Sequence, residues 1–485
     1  MYSFRRTGLR AVAGVLILLL GISITSCSGN RDIVPDVTNT TRESVKISVP
    51  DAFGIKITDT DSGGTLQGQY KGRKIIVGTK QGEEEAALKK VTPYFEKVSG
   101  AQVEIRAYSD SEYMNKVTTD LSSGHQLDVI CMPVALIHSY AESGYLQDLT
   151  PFVNDKNIAS PNLDINDFIP NLLDVYGMYN GTFYALPYKP DAQILFYRKD
   201  LFDSEKIKQE YKQKTGKVLK VPDTIDELYE TAKFFTKSIN HDSPTQYGFN
   251  MLGKRFSRRY TFYNRLAAYG GKVVDKDLNP GFDNIAGVSA IKTYLELAKY
   301  CTPDWLNFGF EEANNFFISG NVAMMEQWPG LSKIAEEEGS KVKGKVGYAV
   351  VPGVNGVKAP TLGGWAVAIT NTQRNPELAY KFIEYITSKD MELLKISAGC
   401  DPCRTSNFMR PDIRASNPMY PILEESLASA KILADPDVPL ITTKLIDIQE
   451  DGIYNVVTGK TTPEAAIRSM AEDFRKEIKA VGLSR

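Results

Sequence analysis

"RKIIVGTKQGEEEAALKKVTPYFEKVSGAQVEIRAY" (Arg73 to Tyr108) sets two short apolar runs on either side of one amphipathic segment. Arg73–Thr79 reads as a buried strand. In Glu83–Gly100, Leu88, Val91, Phe95 and Val98 fall on one helical face. Three glutamates at the start suit the positive end of a helix, and Gly100 supplies a stop. Ala101–Tyr108 alternates like a strand. The pattern then repeats: "SEYMNKVTTDLSSG" (Ser111–Gly124) is helical, and "LDVICMP" (Leu127–Pro133) is a short apolar strand. Strand, helix, strand, helix, strand is the signature of a parallel sheet with covering helices.

Outward from this unit the chain stays α/β. "PDTIDELYETAKFFTK" opens with a capping box, Thr224 and Glu227, ahead of Leu228, Ala232 and Phe235. Val288, Ile291 and Leu295 line one face of a later helix. Asn375 before Pro376, and Thr462 before Pro463, read as caps preceding a proline at the first helical position. The body from about residue 71 onward exceeds what one core usually supports, so two lobes are expected.

The N-terminus reads differently. Arg5, Arg6 and Arg10 precede a run from Ala11 to Thr25 that is apolar or small. A spanning helix needs about 20 apolar residues; this shorter run fits a signal-peptide core. Its end, Ile24-Thr25-Ser26-Cys27, resembles a bacterial lipobox, which implies diacylglycerol and palmitate on Cys27 and removal of residues 1–26. Residues 27–70 are poor in large apolar side chains and read as lipid anchor and flexible tether. The localisation expected is extracytoplasmic, held to a bacterial cell membrane by lipid alone.

Lys+Arg is 57 against Asp+Glu 59, a net charge of −2, which offers no basic surface for nucleic acid. Cys131, Cys301, Cys400 and Cys403 include one CxxC but no second pair to complete a zinc site; a local disulfide and two plain thiols both fit. The three histidines are scattered, with no HExxH, and there is no GxSxG elbow. "DKDLNPG" (Asp275–Gly281) departs from a calcium loop, with its glycine one place late and Ala286 where the closing glutamate belongs, and reads as a hairpin turn. Nothing calls for a metal or cofactor.

Ten segments in order then resemble the large sugar-binding group (family 1) of extracellular solute-binding proteins of ABC importers. They run from "LKKVTPYFEKVSGAQVEI" through "YNGTFYALPYKPDAQILFYRKDLF", "YNRLAAYGGKVVD", "FFISGNVAMMEQWPG" and "LGGWAVAITNTQRNPELAYKFIEYIT" to "VVTGKTTPEAAIRSM". The resemblance implies a two-lobed α/β periplasmic-binding-protein-like fold with a ligand cleft and several interlobe crossings, near Lys189, Trp365 and Arg404. It places residues 71–189 with 366–403 in the N-lobe and 190–365 with 404–485 in the C-lobe. It implies a monomeric, non-catalytic receptor that delivers a sugar or oligosaccharide to importer permeases. A secreted carbohydrate-active enzyme with a carboxylate pair in the cleft is the alternative, and a surface adhesin a third class.

A sugar needs flat aromatic platforms and polar groups that pair with hydroxyls. Trp328 and Trp365 lie beside Gly or Pro, as at the ends of elements, and match family cleft positions, as does Tyr260. Asp191, after "YKP", matches a position that contacts hydroxyls, with a hinge salt bridge as the plainer role. Glu83 matches a cleft-facing polar position, or serves only as a helix N-terminal charge. Met132 is expected at the cleft wall. Arg404 matches a family arginine near the third crossing, with a structural ion pair as its other reading. One departure is the basic run Lys254, Arg255, Arg258 and Arg259. Arg258 and Arg259 could clamp a carboxylate or phosphate and so admit an acidic ligand; a solvated loop is the simpler role.

Overall fold

The computed structural model describes residues 47–52, 55–59 and 66–482, apart from 125, 161, 171 and 433–437. The signal segment, Cys27 and the first part of the expected tether therefore lie outside the described residues. Within the rest of the tether, β1 (Ile47–Ala52) and β2 (Ile55–Asp59) pair antiparallel as a hairpin beside the helices Glu83–Ser99 and Lys389–Ser397. Leu66 and Tyr70 are already part of the folded core, and the Tyr70 hydroxyl donates to Glu377 Oε1 at 2.6 Å.

Two sheets organise the body. In the first, β3 (Lys74–Lys80) runs parallel to β4 (Gln102–Tyr108) and β5 (Val129–Pro133), with the helix Glu83–Ser99 as the first crossover, as the opening stretch predicts. Gly100 ends that helix in the left-handed region (φ +74°), its N–H donating to Glu96 O. A small hairpin of β6 (Met178–Tyr179) and β7 (Thr182–Phe183) leads to β8 (Ala185–Ala192). Next comes the second sheet, built from β9 (Ile194–Arg198), β10 (Tyr247–Asn250), β11 (Val322–Gln327) and β12 (Val346–Val350) in the order β10-β11-β9-β12. The chain returns through β13 (Thr361–Ile369), which pairs antiparallel with both β5 and β8, and β14 (Lys431–Ile432) adds beside it. The result is the two-lobed α/β fold.

Two crossings are sharp: β8 passes into β9 at Gln193, and β12 reaches β13 at Pro360–Thr361. One side chain ties them together. The Asn264 amide donates to Gln193 Oε1 (2.8 Å) and Glu326 Oε2 (2.9 Å), while its oxygen accepts from Thr361 N–H (2.8 Å). The third passage is spread out. From Arg404, held by first-lobe carbonyls, the chain runs the helix Tyr420–Ser429 along both β8 and the second-sheet strands β9 and β12, and joins the second lobe's helical cluster at Val438.

Local expectations hold unevenly. Thr224 and Glu227 form the reciprocal capping box, and Thr462 accepts from Ala465 N–H. Asn375 does not cap its helix; its side-chain oxygen instead accepts from Arg73 Nη1 (3.2 Å). Cys400 and Cys403 are separate buried thiols, and burial pushes both pKa values up. The Asp275 carboxylate accepts from the N–H groups of Asp277 and Asn279, closing the hairpin turn. Among the described residues no helix is long and apolar enough to cross a membrane.

Candidate functional site

The pleat of β8 and β13 explains what gathers at the crossing. Residues two apart on a strand share a face, and directly opposed residues of an antiparallel pair do too. Lys189 opposes Trp365, and Asp191 opposes Gly363, so all four lie on one face. The start of the helix Glu83–Ser99 meets that face. Lys189 Nζ pairs with Glu83 Oε2, lies 3.4 Å from Glu84 Oε1 and 3.7 Å from Asp191 Oδ2, and Glu84 also takes Lys80 at 3.4 Å.

Electrostatics follow from burial. Lys189 and Asp191 are each only 5% exposed. Burial opposes the charged form of Lys189, yet Asp191, Glu83, Glu84 and Asp401 raise its pKa well above the lysine range. Burial pushes Asp191 up to about 7, against the pull of Lys189. It also drives Asp401 well above the usual carboxylate range. Glu84 goes the other way: burial resists ionisation, but Lys189 and Lys80 hold its carboxyl low. Asp191 Oδ1 and Asp401 Oδ2 are buried without a hydrogen-bond partner. Unmet acceptors at a junction of two lobes are what an incoming hydrogen-bond donor would satisfy.

The opposite wall comes from the second lobe. After β11 the chain turns through Trp328 and Gly330. A Cβ on Gly363 would meet the Trp328 indole at 2.6 Å, and one on Gly330 would meet Glu83 Oε1 at 2.7 Å. Gly363 is therefore set by close approach across the crossing, while at Gly330 the facing atoms are the movable end of Glu83. Tyr260, in the first turn of the helix Arg259–Ala268, packs edge-on to Trp328, with ring centroids 5.1 Å apart. Trp365 carries Lys80 Nζ over its ring at 5.4 Å. Trp328, Trp365, Tyr260, Glu83 and Gly363 all remain partly exposed.

The structure thus brings together Glu83, Asp191, Tyr260, Trp328 and Trp365. Three expected residues stand elsewhere. Met132 opposes Ala366, one step from Trp365, and the pleat turns it to the other face, where it is fully buried with Ile137 and Ala366 in a cluster whose edge Trp365 covers. Arg404, also fully buried, donates to the carbonyls of Thr387, Asp164 and Leu163, which is a structural role. Arg258 lies 3.3 Å and Arg259 3.1 Å from the Glu450 carboxylate oxygens, all three buried in the second lobe. Arg255 pairs with Asp447 and Asp451, and Lys254 with Glu312. The clamp expected for an acidic ligand is spent on protein carboxylates. Trp305 is core, packed near Tyr294.

Sequence reasoning missed Lys189 as the hub, Glu84 as its partner, and Gly363 and Gly330. The spacing Lys189-x-Asp191 within one strand was the available signal.

The model of bacterial extracellular solute-binding proteins matches residues 79–392. The chain belongs to that family. Relatives of this solute-binding protein include the mannitol-binding protein of Pseudomonas aeruginosa, 26% identical over 374 residues, 74% of this chain and 80% of that one. A probable amino-acid ABC transporter periplasmic-binding protein of Sinorhizobium fredii is 25% identical over 365 residues, 74% of this chain and 79% of that one. Among solved structures, a solute-binding protein of Agrobacterium radiobacter K84 in complex with ribitol aligns at a TM-score of 0.71 and 26% identity, covering 84% of this chain and 99% of that one. The protein is an extracytoplasmic solute-binding protein of the ABC-importer type.

Proposed function

We propose that the protein is a lipid-anchored, non-catalytic receptor that captures a sugar or polyol between its lobes and hands it to an importer permease. The observation that carries this is the face built by Lys189, Asp191, Trp328, Trp365 and Tyr260. It supplies unmet carboxylate oxygens for hydroxyls beside partly exposed rings for C–H faces. Glu83, Asp191, Tyr260, Trp328 and Trp365 are the contacts proposed. Relatives named for mannitol and solved with ribitol support the ligand class. Cys27 is the proposed lipid attachment, which keeps the receptor beside its transporter and raises the concentration the permease sees.

A thermal-shift panel of pentitols, hexitols, hexoses, short oligosaccharides and amino acids on the body after Cys27 tests the ligand class. A ligand at a hundredfold over its Kd stabilises by about 2.7 kcal/mol. A polyol or sugar hit supports the reading, and a hit confined to amino acids overturns it. Recovering the bound glycan intact separates a receptor from a carbohydrate-active enzyme. For the anchor, Cys27→Ser should leave the chain unprocessed and free of lipid; an unchanged lipidated product would refute it.

A further inference from the structure

The charge balance of this face goes further than the ligand class. Four carboxylates, those of Glu83, Glu84, Asp191 and Asp401, share Lys189, with Lys80 beside Glu84. Lys395 Nζ is turned to the Tyr188 carbonyl at 3.2 Å and to its ring. Among the described residues no arginine is hydrogen-bonded or ion-paired to any of these four carboxylates, and arginine is the side chain that grips carboxylate and phosphate by two bonds at once. The basic run that could have supplied one is neutralised within the second lobe.

The acidic character has an outlet. Asp191 uses Oδ2 toward Lys189, and its backbone N–H donates to the Tyr176 hydroxyl at 3.3 Å. Oδ1 is buried and unpartnered, on the strand face that also carries Gly363 and faces the Trp328 ring. A hydroxyl or ammonium arriving over Trp328 meets an acceptor whose desolvation is already in place. An anion arriving there meets a carboxylate whose nearest counter-charge, Lys189, is divided among its neighbours, with Lys80 engaged at Glu84; such like-charge contact is strongly unfavourable away from water.

We propose that this face selects by charge: it admits uncharged and amino-bearing sugars or polyols and turns away their carboxylate counterparts, with Asp191 as the discriminating residue. The inference rests on the sugar or polyol reading of the site.

The test is calorimetric titration of the body after Cys27 at pH 8 with matched series: glucitol, glucamine and gluconate; glucose, glucosamine and glucuronate; galactose, galactosamine and galacturonate. In any series that binds, the neutral and amino members should exceed the acid by about tenfold or more. Asp191→Asn should shrink that gap to a few-fold, and Asp191→Ser should do the same if the amide perturbs packing. At pH 5.5 the gap should narrow in the unsubstituted protein, because Asp191, faced by Lys189, Glu83, Glu84, Lys80 and Asp401, then takes up a proton. An acid bound as tightly as its neutral partner, or a gap unchanged in both variants, overturns charge selection and leaves the sugar reading standing. No binding by any member at millimolar concentration, with an amino acid binding instead, overturns both.

Discussion

Two buried ionic clusters of opposite polarity sit in this molecule. At the crossing, one ammonium, Lys189, is shared by several carboxylates. In the second lobe, one carboxylate, Glu450, is shared by two guanidinium groups, Arg258 and Arg259. In the second cluster each arginine has a further partner, although Glu450 Oε2 accepts no hydrogen bond: Arg258 donates to the Gly253 carbonyl at 2.9 Å and covers the Tyr454 ring, and Arg259 covers Tyr260. The first leaves two oxygens without a partner, Asp191 Oδ1 and Asp401 Oδ2. It also lies where two lobes meet, whereas the second is held within one. Neither charge content nor an unmet oxygen separates the two clusters; their place in the fold, at the meeting of two lobes or within one, does.

The largest break in that comparison is Glu450→Gln. It leaves two arginines buried without their counter-charge, which costs about 3–5 kcal/mol, read as a lower urea midpoint. Gly363→Ala comes next. The added methyl meets the Trp328 indole, and overpacking of this kind costs about 1–3 kcal/mol. Trp328 must move off the crossing, so this variant should lose ligand affinity in titration.

Asp191→Asn acts through pH. With its pKa lifted from 3.8 to about 7, Asp191 keeps a proton in the folded state that the unfolded chain has released. On this group's account the folded state is favoured at low pH, and stability declines as pH rises through the window from about 4 to about 7, by at most about 1.4 kcal/mol per pH unit. The variant removes that slope, so unfolding curves collected from pH 4 to 8 should converge toward or cross those of the parent protein at the alkaline end. Ligand affinity of the parent should instead increase with pH, because an ionised Asp191 is the better acceptor. The smallest effect is Arg255→Ala. Its partners Asp447 and Asp451 are as open as it is, and exposed pairs contribute about 0–1 kcal/mol; denaturant curves should barely move.

Much of the fold was readable from local pattern. The periodicities of residues 73–133 placed β3, β4, β5 and the helix Glu83–Ser99, because each element carries its own burial stripe. The candidate site was only half readable. Trp328, Trp365 and Asp191 announce themselves by residue type and neighbours. Met132 misled because it ends an apolar strand beside cleft residues, and a one-residue step reverses the face. Arg404 and Arg258 misled because an arginine looks available until its partners, far away in sequence, are known. Lys189 was overlooked for the same reason: its importance comes from Glu83 and Glu84, which only folding brings near.

Behind the crossing lies a cavity of about 870 Å³, lined by Leu172 and Val175 from the first lobe, Leu266 and Val273 from the second, and Leu362 of β13. Leu362 neighbours Gly363 and so presents the other face of the same strand. A rotation about these strands that parts Glu83 from Gly330 must draw the walls of the rear cavity together. Apolar surface wetted in front is then partly matched by apolar surface dried behind. Since heat capacity tracks apolar hydration, the heat-capacity change of ligand binding should be smaller in magnitude than the ligand's own buried area would give. Narrowing the rear cavity with Val175→Phe should weaken that compensation and make it larger, which calorimetry at three temperatures would read directly.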